Sequence, residues 1–161
     1  MDPSSGAAPG GSAGGPPGLR IDEATLATMV AHCLGAYPEE GCGLLVGAAG
    51  SGRVARCVPT DNVARSAALY TVEPRAHLRA DRAAEADGLA VVGVFHSHTH
   101  TDPYPSPTDV AQAPDPGWHY VLVSLRHELA SVRSYRIVDG RVEEEAMTVL
   151  PDGSGGPPSS I

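Results

Sequence analysis

Early in the chain, apolar residues recur at helical spacing. Leu26, Met29, Val30, Cys33, Leu34 and Tyr37 form one stripe. Asp22 can cap this helix and Glu23 sits in its first turn, where a negative charge meets the unpaired N–H groups. The helix should stop near Tyr37, because Pro38 disfavours helical geometry in the residue before it. Residues 41–47, GCGLLVG, read as a short apolar strand framed by glycines. Residues 53–60, RVARCVPT, read as a second strand, and 68–74, ALYTVEP, as a third that ends at Pro74. Residues 75–87 are rich in Ala and Arg and predict a helix that Gly88 stops. Residues 89–98, LAVVGVFHSH, are almost continuously apolar, as expected for a central strand buried on both faces. Ser106, Pro107 and Asp109 fit the N-cap, N1 and N3 positions of a further helix. Residues 119–125, 131–140 and 141–150 complete the strands, with Asp139-Gly140 as a two-residue hairpin turn. This order predicts an α/β sandwich with a mixed sheet and no internal repeat.

Composition trims the folded part. Residues 1–18 and 151–161 are almost wholly Gly, Pro, Ala, Ser and Asp, with too little apolar surface to offset their ordering entropy, so disordered tails are expected there. Residues 19–150 remain, about 130 residues, enough for one core. The net charge of -8, with every one of the 11 basic residues an Arg, disfavours nucleic-acid binding. No apolar run is long enough for a membrane span, and no secretory leader is legible, so a cytoplasmic enzyme without membrane partners is expected. Cys33, Cys42 and Cys57 are an odd set without a CxxC pair, which points to reduced, buried thiols.

The candidate chemistry sits in residues 96–109, HSHTHTDPYPSPTD. Alternate residues of a strand face one side, so His96 and His98 can reach one point at the strand's end. Asp109 lies in the first turn of the next helix, whose N–H groups can orient its carboxylate. Two imidazoles and one carboxylate are the donor set of a catalytic zinc, which takes three protein ligands and leaves a position open. A structural zinc would want four ligands, usually with Cys. Zinc brings the pKa of water near 7, and turnover then needs a side chain to carry a proton. Glu39 and Glu40, just before the first strand, both qualify. Ser97 points to the opposite face, a structural position. His100 and Asp102 lie in the intervening loop, where Pro103 and Pro105 argue against a continued strand that would aim them at the metal. His119 reads as a packed histidine, Tyr104 as a residue of the cleft, and Asp61-Asn62 as a turn.

His-x-His, seven residues, Ser, two residues and Asp, filled here by His96, His98, Ser106 and Asp109, resembles the signature of the JAMM (MPN+) zinc metalloproteases. The pattern Glu40-Gly41-Cys42-Gly43 is similar to the family's upstream Glu-x-x-Gly and selects Glu40 over Glu39. The resemblance implies a three-layer α/β/α sandwich of the cytidine-deaminase-like JAMM/MPN type. It implies one zinc per chain on His96, His98 and Asp109, Glu40 as general acid/base, and Ser106 as the donor to the oxyanion. The flanking segments are similar to the actinobacterial peptidases that release cysteine from the C-terminal Gly of a ubiquitin-like sulfur-carrier protein, a step of cysteine biosynthesis. A peptidase that trims a sulfur carrier to expose Gly-Gly, or a deubiquitinase-like isopeptidase, is the alternative. A homodimer is also an expectation from the family, and Asn62, which turn chemistry also explains, resembles a family position near the peptide groove. A nucleoside deaminase is excluded, since its His-x-Glu and Pro-Cys-x-x-Cys patterns are missing.

Overall fold

The computed structural model describes residues 18–152. The expected tails therefore lie almost entirely outside the described residues. Asp152, assigned by composition to the second tail, accepts a 2.8 Å hydrogen bond from the Ala24 N–H.

Strand β1 (Leu19–Asp22) precedes helix α1 (Glu23–Ala36), and Asp22 caps that helix by accepting from the Thr25 N–H. Strands β2 (Cys42–Gly47) and β3 (Val54–Thr60) follow, then α2 (Pro74–Ala86), β4 (Ala90–His98) and the short helix α3 (Pro107–Ala111). Strands β5 (His119–Ser124), β6 (Ser131–Val138), β7 (Arg141–Glu145) and β8 (Met147–Leu150) close the chain. Six strands form one sheet in the order β3-β2-β4-β5-β6-β7. Only β4 and β5 in it run parallel, so the sheet is mixed. Asp139 and Gly140, both with positive φ, make the turn between β6 and β7.

The pleat sorts residues into two cores. Leu45, Phe95, Val121 and Val123 pack with Met29 and Cys33 of α1. Leu44, Val94, Tyr120 and Leu122 pack with Ala80 of α2. The result is the expected three-layer α/β/α sandwich. Phe95 lies so close over Gly43 that a Cβ there would sit 2.4 Å from its ring. Gly41 lies against α1 in the same way, 2.8 Å from the Cys33 Cα. These two contacts explain why glycines follow Glu40 at alternate positions.

Four expectations change. Residues 68–73 are not a strand; they form a loop with a single bridge between Asn62 and Val72, and Pro74 begins α2 instead of ending a strand. Glu73 caps α2 by accepting from the Arg75 and Ala76 N–H groups, a polar alternative that ladder pairing could not match. The last strand is divided at Ala146 into β7, paired with β6, and β8, paired in parallel with β1. β1 itself was hidden in the lead-in to the helix. Finally, Leu34 and Tyr37 are 57% and 50% exposed, because α1 buries only the Met29–Cys33 side of its stripe.

Candidate metal centre

Strand β4 delivers His96 and His98 on one face, as the period of two requires. Helix α3 delivers Asp109 from its N3 position. The Ser106 N–H donates to Asp109 Oδ2 (2.8 Å), and the Asp109 N–H donates back to Ser106 Oγ (3.1 Å), a reciprocal capping box. The cap that starts the helix is thus also the device that holds the carboxylate.

His96 Nε2 and His98 Nε2 lie 3.1 and 3.0 Å from Asp109 Oδ2 and 3.3 Å from each other. Atoms bound at about 2.0–2.1 Å to one tetrahedral centre stand about 3.3 Å apart, so this triangle fits a zinc-sized cation. It is the one cluster of potential metal ligands found among the described residues. All three side chains are buried. His98 Nδ1 donates to the Asp102 carbonyl (2.9 Å), which leaves the Nε2 lone pair free for a cation. Tyr70 stacks on His96, with ring centroids 4.1 Å apart.

The charges divide unevenly. Burial dominates at His96 and holds its pKa down. Burial also opposes charge on His98, yet its bonds to Asp109 and to the Asp102 carbonyl push its pKa up. Burial would raise Asp109, but the two imidazoles and the Ser106 N–H overrule it and hold the carboxyl well below the usual range. An empty triangle therefore favours a proton on His98 that an entering cation must displace.

Glu40 sits just ahead of β2, where Cys42 pairs with His96. The Ser97 N–H donates to the Gly41 carbonyl (2.9 Å), and Ser97 Oγ accepts from the Gly41 N–H (2.8 Å). The residue between the two histidines thus fixes the neighbour of Glu40, the structural part expected for it. Glu40 is only 4% exposed and its Oε2 has no hydrogen-bond partner. Burial pushes its pKa up to about 7, with His98 pulling it down and Asp109 raising it. A buried carboxylate oxygen without a partner, beside three converging ligand atoms, is a group left for a ligand to satisfy. A cleft of about 730 Å³ borders Glu40, lined also by Gly35, Glu39, Asp61 and Arg65; His96, His98 and Asp109 do not line it.

The other candidates fall elsewhere. Glu39 points to Arg65, 3.7 Å away. His100 is exposed; its Nδ1 bonds Thr99 Oγ1 (2.8 Å) and its ring neighbours Tyr37. The Asp102 carboxylate pairs with Arg126. Tyr104 is 57% exposed and meets Tyr135 edge-on. Cys33 and Cys42 are buried, Cys57 is partly buried, and all three are free thiols. The sequence reading missed Tyr70, which it placed in a strand, and the Asp102 carbonyl. A lone aromatic in an aperiodic loop and a main-chain oxygen leave no sequence signal.

The model for prokaryotic homologues of the JAB domain matches residues 22–138. The chain belongs to that family, whose members are the JAMM-type metallopeptidases. Among its relatives, a CysO-cysteine peptidase of Mycobacterium tuberculosis is 49% identical over 127 residues, which cover 76% of this JAB-domain chain and 84% of that protein. The solution structure of a Desulfitobacterium hafniense protein matches at a TM-score of 0.77 and 30% identity, over 83% of this chain and 94% of that one. A JAB1/MPN domain protein of Archaeoglobus fulgidus shares the fold at a TM-score of 0.56 and 20% identity, covering 82% and 99% of the two chains. The JAMM/MPN resemblance read from the motif is thereby borne out in family and in fold.

Proposed function

We propose that this JAB-domain protein is a zinc peptidase that hydrolyses the bond between the C-terminal Gly of a ubiquitin-like sulfur-carrier protein and cysteine. The observation that carries the reaction class is the buried, unpartnered Glu40 carboxylate beside the His96–His98–Asp109 triangle. Identity of 49% with a CysO-cysteine peptidase supports the substrate.

His96, His98 and Asp109 would hold one zinc ion, which when bound supplies a Lewis acid and makes water acidic enough to attack at neutral pH. Glu40 takes the proton from the attacking water and gives it to the departing cysteine nitrogen. A carboxyl shifted towards neutrality suits both steps, since its two protonation states are close in free energy there. Ser106 Oγ already accepts from the Asp109 N–H, so its own hydrogen is available to donate to the oxyanion. His98 keeps its ring oriented through the Asp102 carbonyl, and Tyr70 covers one face of His96. Every one of these groups comes from one chain. No helix among the described residues is long and apolar enough to cross a membrane.

The test is incubation of the zinc-loaded chain with a sulfur-carrier protein bearing a C-terminal cysteine, with free cysteine read by mass spectrometry. Wild type should release it. Glu40→Gln should keep its zinc and lose about 10²–10⁴-fold in kcat. Preference for a longer C-terminal extension would favour the trimming peptidase instead, and unchanged turnover by Glu40→Gln would remove Glu40 from the chemistry.

A further inference from the structure

The loop that replaces the expected third strand is held by several hydrogen bonds, four of them made by one side chain. Residues 61–73 contain neither helix nor strand, and most of them are exposed. A primary amide has two N–H donors and two acceptor lone pairs. Asn62 uses all four. Its Nδ2 donates to the Glu40 carbonyl (3.0 Å) and to the Leu69 carbonyl (2.8 Å). Its Oδ1 accepts from the Ala64 N–H (3.1 Å) and the Thr71 N–H (2.9 Å).

The partners are not arbitrary. Leu69 and Thr71 flank Tyr70, the residue whose ring lies on His96. Glu40 is the buried acid whose charge interacts with those of His98 and Asp109. Its backbone is also tied to this loop through its N–H, which donates to the Ser66 carbonyl (2.8 Å). One amide therefore fixes the distance between the main chain that carries Glu40 and the main chain that carries Tyr70. The metal ligands themselves stand on β4 and α3, which Asn62 does not touch. A loop with little buried apolar surface depends on such polar ties for its order.

We propose that Asn62 is a positioning residue for turnover: its amide sets where Glu40 sits relative to the metal site and keeps Tyr70 seated on His96. This rests on the reading of Glu40 as the proton carrier. The effect acts on the reacting geometry, where small displacements are costly, and not on capture of the ion or of the carrier protein.

The experiment compares wild type, Asn62→Ala, Asn62→Asp and Glu40→Gln as full-length, zinc-loaded chains, using a sulfur-carrier protein with a C-terminal cysteine. Both Asn62 variants lose the donor to Glu40. Only Asn62→Asp keeps an acceptor for the Ala64 and Thr71 amides. In both, kcat should fall about 10–100-fold, KM should stay within about threefold, and bound zinc should remain at the wild-type level. In Asn62→Asp the Ala64 and Thr71 amides should stay protected from hydrogen exchange. Turnover within about threefold of wild type in either Asn62 variant would overturn the proposal while an inactive Glu40→Gln left the peptidase reading standing. A kcat loss in Asn62→Asp accompanied by loss of protection at those amides would overturn it too, because the loop would then have melted. Full activity in Glu40→Gln would instead sink the reading on which the proposal rests.

Discussion

The sheet buries two histidine–carboxylate clusters, one on each face, and only one of them brings together three potential metal ligands. At the end of β4, one oxygen of Asp109 faces two imidazole nitrogens at 3.0–3.1 Å, and Glu40 stands by with an unpartnered oxygen. At the start of β5, His119 Nδ1 lies 2.5 Å from Glu145 Oε1, which also accepts from Ser134 Oγ (2.7 Å). Arg136 stands 3.4 Å from the His119 ring. In the second cluster a hydroxyl and an imidazole N–H already satisfy that oxygen, while Glu145 Oε2, like Glu40 Oε2, is buried without a hydrogen-bond partner. In the first, three potential ligand atoms converge on one point. Burial and residue type are alike in the two places. What separates them is that the second offers one imidazole to its carboxylate, whereas the first brings two imidazoles and a carboxylate to one point.

The largest effect should come from breaking the triangle. Asp109→Asn or His96→Ala should reduce bound metal, measured by atomic absorption after desalting, from one ion per chain to a small fraction, with activity lost in proportion. His119→Ala should leave bound metal unchanged; metal loss there would erase the distinction between the clusters. Next, Ser106→Ala should lower kcat by about 10²–10³-fold with zinc retained. Some loss of helix stability should accompany it, because the same hydroxyl caps α3. An unaltered kcat with a lower melting temperature would reduce Ser106 to a cap.

Glu145→Gln addresses the other face. Disturbing a buried acceptor that takes two hydrogen bonds costs about 1–3 kcal/mol, so denaturant unfolding should shift clearly. Turnover per folded molecule should not. The smallest effect concerns Glu40 in the zinc-free chain. Burial pushes its folded pKa to about 7, above the ordinary carboxyl value of 4.5, so its stabilising contribution is complete below pH 4.5 and fades as pH rises through 7. Zinc-free Glu40→Gln should therefore be more stable than zinc-free wild type above pH 7, by at most about 3 kcal/mol, with the gap closing below pH 4.5. A gap that widened on acidification would mean that Glu40 is stabilised as an anion in the empty site.

Legibility differed from element to element. Ser106, Pro107 and Asp109 announced a helix start, and the structure shows that start doubling as the carboxylate's clamp. His96-Ser97-His98 announced two ligands and one outward residue, and Ser97 indeed turns to the α1 side to hold Gly41. Residues 68–73 carried an apolar content that resembles a strand, but Glu73 and Pro74 start a helix and Asn62 gathers the backbone bonds. The parallel pairing of β1 with β8 joins residues over a hundred positions apart, and short apolar runs give no sign of which distant run they meet.

By itself, then, the order of residues determined the local geometry: which side chains share a strand face, where a helix is capped, and which residue types can grip a cation. Those depend on periodicity and on hydrogen bonds within a few residues. The approach of Glu40 to His98, the stacking of Tyr70 on His96 and the pairing of His119 with Glu145 were decided only by the folded chain. Each brings together groups remote in sequence, and their separation follows from how the layers pack, not from any spacing along the chain.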